Sequence, residues 1–212
     1  MSRHLNGKVT LVTGAGSGFG ALIAQKCAAG GARVVAVDIA DAVDDVVEGI
    51  RAAGGQASGR RADVTDIEQM RAAAGHAVAE FGALDVLVNN AGTMPLSYFA
   101  DHEKAWHRWH QAIDVNIKGV VNGIAAVYDQ MLAQGRGQVV NISSIYGNGG
   151  VAGAGVYSAT KAAVAVISDA LRVEAQGLIK VTTVEPTGVL GTNLASGVVN
   201  PAAITELAGQ HG

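Results

Sequence analysis

Five short valine-rich runs recur along the chain: KVTLVTG (8–14), RVVAVD (33–38), LDVLVNNA (84–91), GQVVNISS (137–144) and KVTTVEP (180–186). Their apolar residues follow one another instead of alternating with polar ones. A strand with that pattern is buried on both faces, which happens where helices cover both sides of a parallel sheet. The segments between the runs suit this. ALIAQKCAAGG, VDDVVEGIRAAGG, IEQMRAAAGHAVAEFG and KAWHRWHQAIDVNIKGVVNGIAAVYDQMLAQG carry helical spacing. In the third, Ile67, Met70, Ala74, Val78 and Phe81 share one stripe. Glycine pairs after these stretches read as helix stops. ASGRRADV (57–64) is a weaker candidate for a further strand. Alternation of this kind predicts an α/β fold with a parallel sheet and right-handed crossovers.

A chain of 212 residues, 49% hydrophobic and 16% charged, is expected to form a single domain over 1–212 with a substantial core. There is no internal repeat, linker or low-complexity tract. A net charge of −3 gives no reason to expect nucleic acid or an anionic membrane as partner. Cys27 is the only cysteine, so no intrachain disulfide forms. The N-terminal stretch has no signal-peptide layout, and the expected location is cytoplasmic.

Directly after the first run comes TGAGSGFG (13–20), followed by a helical stretch. A glycine-rich turn there lets backbone approach a pyrophosphate, with the N–H groups of the next helix pointing at it. Gly14, Gly18 and Gly20 depart from the plain GxGxxG spacing, so position carries more weight than motif. Asp38 ends the second run, 24 residues beyond Gly14. A carboxylate there accepts hydrogen bonds from the ribose hydroxyls of NAD and repels the 2′-phosphate of NADP. Neither Ser17 nor Ile39 beside it offers a cation to reverse that preference.

A second feature is GVYSATK (155–161), with Tyr157 and Lys161 four apart. On a helix the two lie on one face. A nearby ammonium favours a phenolate, so it would lower the phenol's usual pKa of about 10. Such a phenol exchanges a proton with a substrate oxygen near neutral pH. On these seven residues alone, a half-buried tyrosine beside a snorkelling lysine is the simpler account.

Taken in order, TGAGSGFG (13–20), ADVTD (62–66), NNAG (89–92), DVNIKG (114–119), NISS (141–144) and YSATK (157–161) resemble the short-chain dehydrogenase/reductase family over nearly the whole chain. The resemblance implies a Rossmann-type doubly wound parallel β-sheet flanked by helices. It implies that Gly14, Ser17, Gly18, Phe19 and Gly20, with Asp38 and Ile39, are among the residues that bind NAD. Asp63 would bond the adenine amino group, with Val64 packing beside the ring. Asn90, Ala91 and Gly92 would line the cofactor channel. Asn116 would hold a water in a proton relay, Ser144 would orient the substrate oxygen, and Tyr157 would be the acid/base. Lys161 would bind the nicotinamide ribose and lower the tyrosine's pKa.

The implied activity is NAD(H)-dependent interconversion of a secondary alcohol and a ketone. The alternatives are an epimerase or dehydratase with bound nicotinamide, and a nucleotide-binding module without turnover. The resemblance also implies a homodimer through helical stretches at 103–134 and 156–177, or a homotetramer whose second interface in the family uses C-terminal elements absent here.

Two departures stand out. EPTGVLGTNL (185–194) replaces the family's Pro-Gly turn, with Thr187 inserted, so that Pro186, Gly188, Val189 and Thr192 take the cofactor-facing places. The chain stops at Gly212, so the family's last strand and helix are expected to be missing, with the sixth strand left at the sheet edge. His102, His107 and His110 in DHEKAWHRWHQ are read as a solvated helix face and not as metal ligands, because no converging third and fourth ligand is evident. Trp106 and Trp109 are read as core or interface residues of that helix.

Overall fold

The computed structural model describes residues 3–187, 194 and 197–209. Six strands form one parallel sheet: β1 (Val9–Thr13), β2 (Arg33–Asp38), β3 (Gln56–Arg61), β4 (Val86–Asn89), β5 (Gly137–Ile142) and β6 (Ile179–Val184). Their order is β3-β2-β1-β4-β5-β6, which leaves β3 and β6 at the edges. The helices are α1 (Gly18–Ala29), α2 (Ala42–Ala52), α3 (Ile67–Phe81), α4 (His102–Ile113), α5 (Gly119–Ala133), α6 (Gly155–Glu174) and α7 (Ala202–Gly209). This is the doubly wound Rossmann-like arrangement expected from the sequence. Among the described residues no helix is long and apolar enough to cross a membrane.

The valine runs are continuous because alternate residues feed two cores. Val9, Leu11, Val35 and Val37 pack with Met70 and Ala74 of α3, Val127 and Met131 of α5, and Leu171 of α6. Val12, Val34 and Ala36 pack on the other face with Ala24 and Ala28 of α1 and with Val43, Val47 and Ile50 of α2. Burying both faces of β1 leaves only the strand ends facing solvent. Functional groups are therefore pushed to the ends of the sheet.

Two details refine the sequence reading. The helical stretch 103–134 is not a single α-helix: α4 passes into α5 through a π-helical segment, Asp114–Lys118. The wider turn buries Asn116, whose side chain bonds both backbone groups of Thr93, accepting from the N–H at 2.9 Å and donating to the carbonyl at 2.9 Å. Single π turns of this kind are frequent at functional sites. The run 84–91 forms a strand only over Val86–Asn89. It ends there because the N–H groups of Asn90 and Ala91 turn to the Thr13 hydroxyl, at 3.0 and 3.1 Å, instead of to a neighbouring strand.

At the opposite end of the sheet, Asp85 ties three segments. Its carboxylate accepts from Val9 N–H at 3.0 Å and Arg136 Nε at 2.9 Å, with Lys8 Nζ at 3.5 Å. Burial alone would raise this carboxyl's pKa; the bonds from Val9 and Arg136 and the charge of Lys8 outweigh it and hold the pKa below the ordinary value. A carboxyl depressed in the folded state stabilises above its unfolded pKa, and that contribution is lost as pH falls through the folded one. Asp85→Asn should therefore cost about 1.5–3 kcal/mol at pH 7, the range for a hydrogen bond to a charged group. In urea unfolding the gap between wild type and variant should close as pH drops below about 4.

Candidate active site

The C-terminal ends of the strands open into a cavity of about 1290 Å³. Small-molecule sites usually measure roughly 300–1,000 Å³, so this one has room for a dinucleotide and a second molecule. The turn from β1 to α1 forms one wall through Gly14, Ser17, Gly18 and Phe19. Gly14 and Gly18 have φ of 65° and 52°, which side chains rarely tolerate. Gly20 lies behind the wall, and a Cβ there would stand 1.9 Å from the Gly14 carbonyl oxygen. Only glycine lets the first turn of α1 sit this close to the strand end; the first N–H groups of a helix have no partner within it.

Asp38 stands beside this turn. Its Oδ2 accepts from Gly16 N–H at 2.8 Å and its Oδ1 from Ala40 N–H at 2.9 Å. Both oxygens are thereby fixed, and each keeps capacity for a further donor. Asp63 and Val64 continue the wall after β3. Asp63 Oδ1 accepts from Thr65 N–H at 2.8 Å, and Val64 is held by Asn122, whose Nδ2 donates to its carbonyl at 2.8 Å. Asn90 bridges the two central strands, its Nδ2 donating to Thr13 O at 2.9 Å and Gly14 O at 3.3 Å. Ala91 and Gly92 follow it along the cavity. A Cβ on Gly92 would lie 3.3 Å from Asn116 Oδ1 and 3.6 Å from Lys161 Nζ, so this backbone runs directly over both groups.

Ser144, Tyr157 and Lys161 line the same cavity, with Pro186 close by. Ser144 follows β5 and accepts from Tyr146 N–H at 3.2 Å. Lys161 is 5% exposed, its Nζ donating to the Ile142 carbonyl at 2.8 Å and lying 5.8 Å from the centre of the Tyr157 ring. Asn116 stands behind this group and donates from Nδ2 to Thr160 Oγ1 at 3.0 Å; that hydroxyl in turn donates to the Tyr157 carbonyl at 2.7 Å. The described catalytic candidates are thus brought together, Asn116 as a buried support and not as cavity wall. Gly188, Val189 and Thr192 lie outside the described residues.

The electrostatics differ from the sequence expectation. Burial pushes the Tyr157 phenol above its ordinary pKa, a side-chain hydrogen bond with Ser144 pulls it down, and the nearby Tyr146 adds a smaller upward push. Lys161 does not produce a net lowering. Burial instead lowers Lys161 itself to about 8.

Parts of the cavity carry no sequence signal. Met94, Leu96, Tyr146, Leu194 and Ile204 supply apolar surface from loops and from α7, and Tyr146 meets Tyr157 edge to face at 6.5 Å. His107 and His110, read as a solvated face, border the opening together with Trp106 and Arg108. Trp106 is more than half exposed, whereas Trp109 is partly buried and donates from Nε1 to Ser97 Oγ at 2.8 Å.

Comparison with known proteins agrees with this geometry. The profile of the family described as short chain dehydrogenase matches residues 8–202. The chain belongs to the short-chain dehydrogenase/reductase family. It is 42% identical over 197 residues to cis-4-hydroxycyclohexanecarboxylate dehydrogenase of Sinomonas cyclohexanicum, covering 90% of this chain and 76% of that protein. It is 40% identical over 184 residues to glycine betaine reductase ATRR of Emericella nidulans, covering 86% of this chain and 14% of that much longer protein. Among solved structures, a short-chain dehydrogenase/reductase from Burkholderia phymatum in complex with NAD superposes with a TM-score of 0.87 at 31% identity, over 100% of this chain and 79% of the other. A metagenomic short-chain oxidoreductase in complex with NADP gives 0.80 at 34% identity, over 89% and 85%. An NAD(P) cofactor is typical of oxidoreductases of this family, and these two structures hold NAD and NADP respectively.

A lysine with a folded pKa of about 8 binds fewer protons than the unfolded chain between that pH and about 10.5. Folding stability should therefore rise with pH across this window, by on the order of 3 kcal/mol in total. Lys161→Met removes the titrating group. Urea titrations of both proteins from pH 7 to 10.5 should show wild type gaining on the variant as the pH rises.

Proposed function

We propose that the chain is an NAD(H)-dependent oxidoreductase that interconverts a secondary alcohol and a ketone, with residues 1–212 as one unit carrying both subsites. The observation that supports this most directly is shared lining. Ser144, Tyr157 and Lys161 border the same cavity as the glycine turn and Asp38. The residues fit a nicotinamide dinucleotide: N–H groups of α1 for the pyrophosphate, Asp38 for the adenosine ribose, Asp63 and Val64 for the adenine, and Lys161 for the second ribose. When bound, that cofactor supplies the hydride acceptor or donor.

The protein's own part is proton transfer. With its pKa raised by burial, Tyr157 is a neutral phenol at pH 7 and is ready to donate to a carbonyl oxygen as the ketone is reduced. Ser144 bonds the same oxygen and orients it. In the oxidising direction Tyr157 must accept the alcohol's proton, so that direction gains as pH rises. Lys161 is cationic below about 8 and stabilises the phenolate while it exists. Asn116 holds the Thr93 backbone and, through Thr160, the first turn of α6; it stands at the inner end of the proton path.

The fixed carboxylate of Asp38 supports NAD over NADP. The apolar walls from Met94, Leu96, Tyr146, Leu194 and Ile204 suit a substrate whose hydroxyl sits on a carbon ring or similar apolar skeleton, the class to which the relative from Sinomonas cyclohexanicum points. A homodimer is part of the same reading. Val121, Val166 and Val173 are large apolar residues on α5 and α6 that stand exposed, the last two by 68% and 77%. Pairing these helices about a twofold would bury them in an isologous contact.

Tyr157→Phe removes one hydroxyl and keeps the ring. Turnover of a cyclohexanol-type substrate should fall by about 10²–10⁴-fold, the usual loss of a positioned acid/base. The thermal midpoint and NADH affinity should stay near wild type, and a Phe variant with ordinary turnover would remove the mechanism. Light scattering at micromolar concentration should find at least a dimer; monomer alone would exclude the proposed pairing.

A further inference from the structure

Arg61 ends β3 directly beside Asp38, the last residue of β2, because the two are partners in the parallel register. Partners on neighbouring strands project from the same face, about 4.8 Å apart. Asp38 lies on the side of Val34 and Ala36, the face covered by α1 and α2, and Arg61 leaves the sheet on that side too. Yet Asp38 and Ile39 line the cavity and Arg61 does not. Its guanidinium is engaged by Asp41, with NH1 2.5 Å from Oδ1. Asp41 occupies the N-cap of α2, but its side chain makes no capping hydrogen bond; its carboxylate faces Arg61 instead.

We infer that Asp41 is a specificity-determining residue: it holds Arg61 away from the ribose subsite marked by Asp38 and so withholds the cation that a 2′-phosphate would need. This rests on the reading of Asp38 as the ribose-binding carboxylate. Discrimination against NADP then has two parts. Asp38 repels the phosphate, and Asp41 occupies the guanidinium, whose fork of N–H donors suits phosphate oxygens. The two parts are not additive. With Asp38 intact, a released Arg61 has its own register partner as the next carboxylate to pair with, and little is gained for NADP. With Asp38 neutral, the released guanidinium is free for the 2′-phosphate.

The ion pair is loose, since its side chains are 63% and 79% exposed, and the effect is correspondingly moderate. The test compares kcat/KM for NADP over NAD in wild type, Asp41→Asn, Asp38→Ser, the double variant, and the double variant carrying Arg61→Ala. Wild type should favour NAD. Asp41→Asn alone should move the ratio by less than about twofold, and in the Asp38→Ser background it should raise it a further three- to tenfold or so, as coupled neighbouring sites do. Arg61→Ala should cancel that gain, and added salt should shrink it.

A wild type that favours NADP would overturn the assignment of Asp38 itself. Wild-type preference for NAD with no gain from Asp41→Asn in the Asp38→Ser background, or a gain that survives Arg61→Ala, would overturn the role of Asp41 alone. Should Asp38→Ser fold poorly, calorimetry of adenosine 2′,5′-bisphosphate against AMP at low salt gives the second readout. Asp38→Asn replaces Asp38→Ser there, and the bisphosphate should gain affinity with Asp41→Asn only while Arg61 is present. Equal affinities with and without Arg61 would count against the inference.

Discussion

The hydroxyl of Thr13 meets three backbone groups where the two central strands end. It donates to Val88 O at 3.3 Å and accepts from the N–H groups of Asn90 and Ala91 at 3.0 and 3.1 Å. The site depends on this junction. A parallel sheet buried on both faces has no freedom along its length, yet at its end each strand must leave the ladder without orphaning buried polar groups. β1 and β4 do so by sharing one side chain. β1 can then turn through Gly14 into α1, and the chain after β4 can pass over Asn116 and Lys161. Asn90 closes the same junction from the other side by donating to Thr13 O and Gly14 O. The glycine turn before α1 and the cavity floor over Asn116 and Lys161 are therefore two consequences of one way of ending a sheet.

A second set of buried polar bonds fixes α6, which carries Tyr157 and Lys161, against β5, which leads to Ser144. Asn89 Nδ2 donates to Asn141 Oδ1 at 2.9 Å, Asn141 Nδ2 donates to Ser168 Oγ at 2.9 Å, and Ser168 donates to Val164 O at 2.7 Å. Ser143 adds a bond from its hydroxyl to the Lys161 carbonyl at 2.8 Å. A helix packed only by apolar contacts can slide by small amounts, whereas one held by satisfied buried polar groups has a defined register. The chain makes room for this network with Gly123, where a Cβ would lie 2.1 Å from Asn89 Oδ1. Asparagines in core strands are thus positioning devices for a phenol and an ammonium one helical turn apart.

The strands and the glycine turn that walls the cavity were legible because each follows from a local rule. Continuous valine runs mean two buried faces, and a glycine-rich run between a strand and a helix means a close turn at the strand end. That Asp38 stands at the cavity was legible from its place at a strand end. The π turn at 114–118 was not, because helical spacing does not report an inserted residue when the flanking α4 and α5 stripes both remain amphipathic. The apolar half of the cavity escaped for a different reason. Met94, Leu96, Tyr146 and Ile204 come from loops and α7, and their meeting depends on how distant segments dock. The bond from Val199 N–H to Leu96 O at 2.9 Å, and the lack of room for a Cβ on Gly153, 2.7 Å from Ala203, exist only in three dimensions. The phenol's acidity was misjudged because a motif announces a charge nearby and says nothing about burial. Burial acts on both members of the pair.

That last point bears on how the site is built. Burying Lys161 weakens its hold on a proton, and burying Tyr157 tightens the phenol's. The two shifts separate titrations that begin close together, so that over the range between them both the phenol and the amine are held in their neutral forms by burial. Exposed to water, the lysine would be screened and the phenolate solvated, and each would titrate independently near its ordinary value. The same burial that costs stability makes the ammonium act at low dielectric, where its attraction for a developing phenolate is strongest. The cost is local and the rest of the fold offsets it. Two apolar faces on a six-stranded sheet provide that offset, and this is why a chain with so few charged residues keeps one of its lysines 5% exposed.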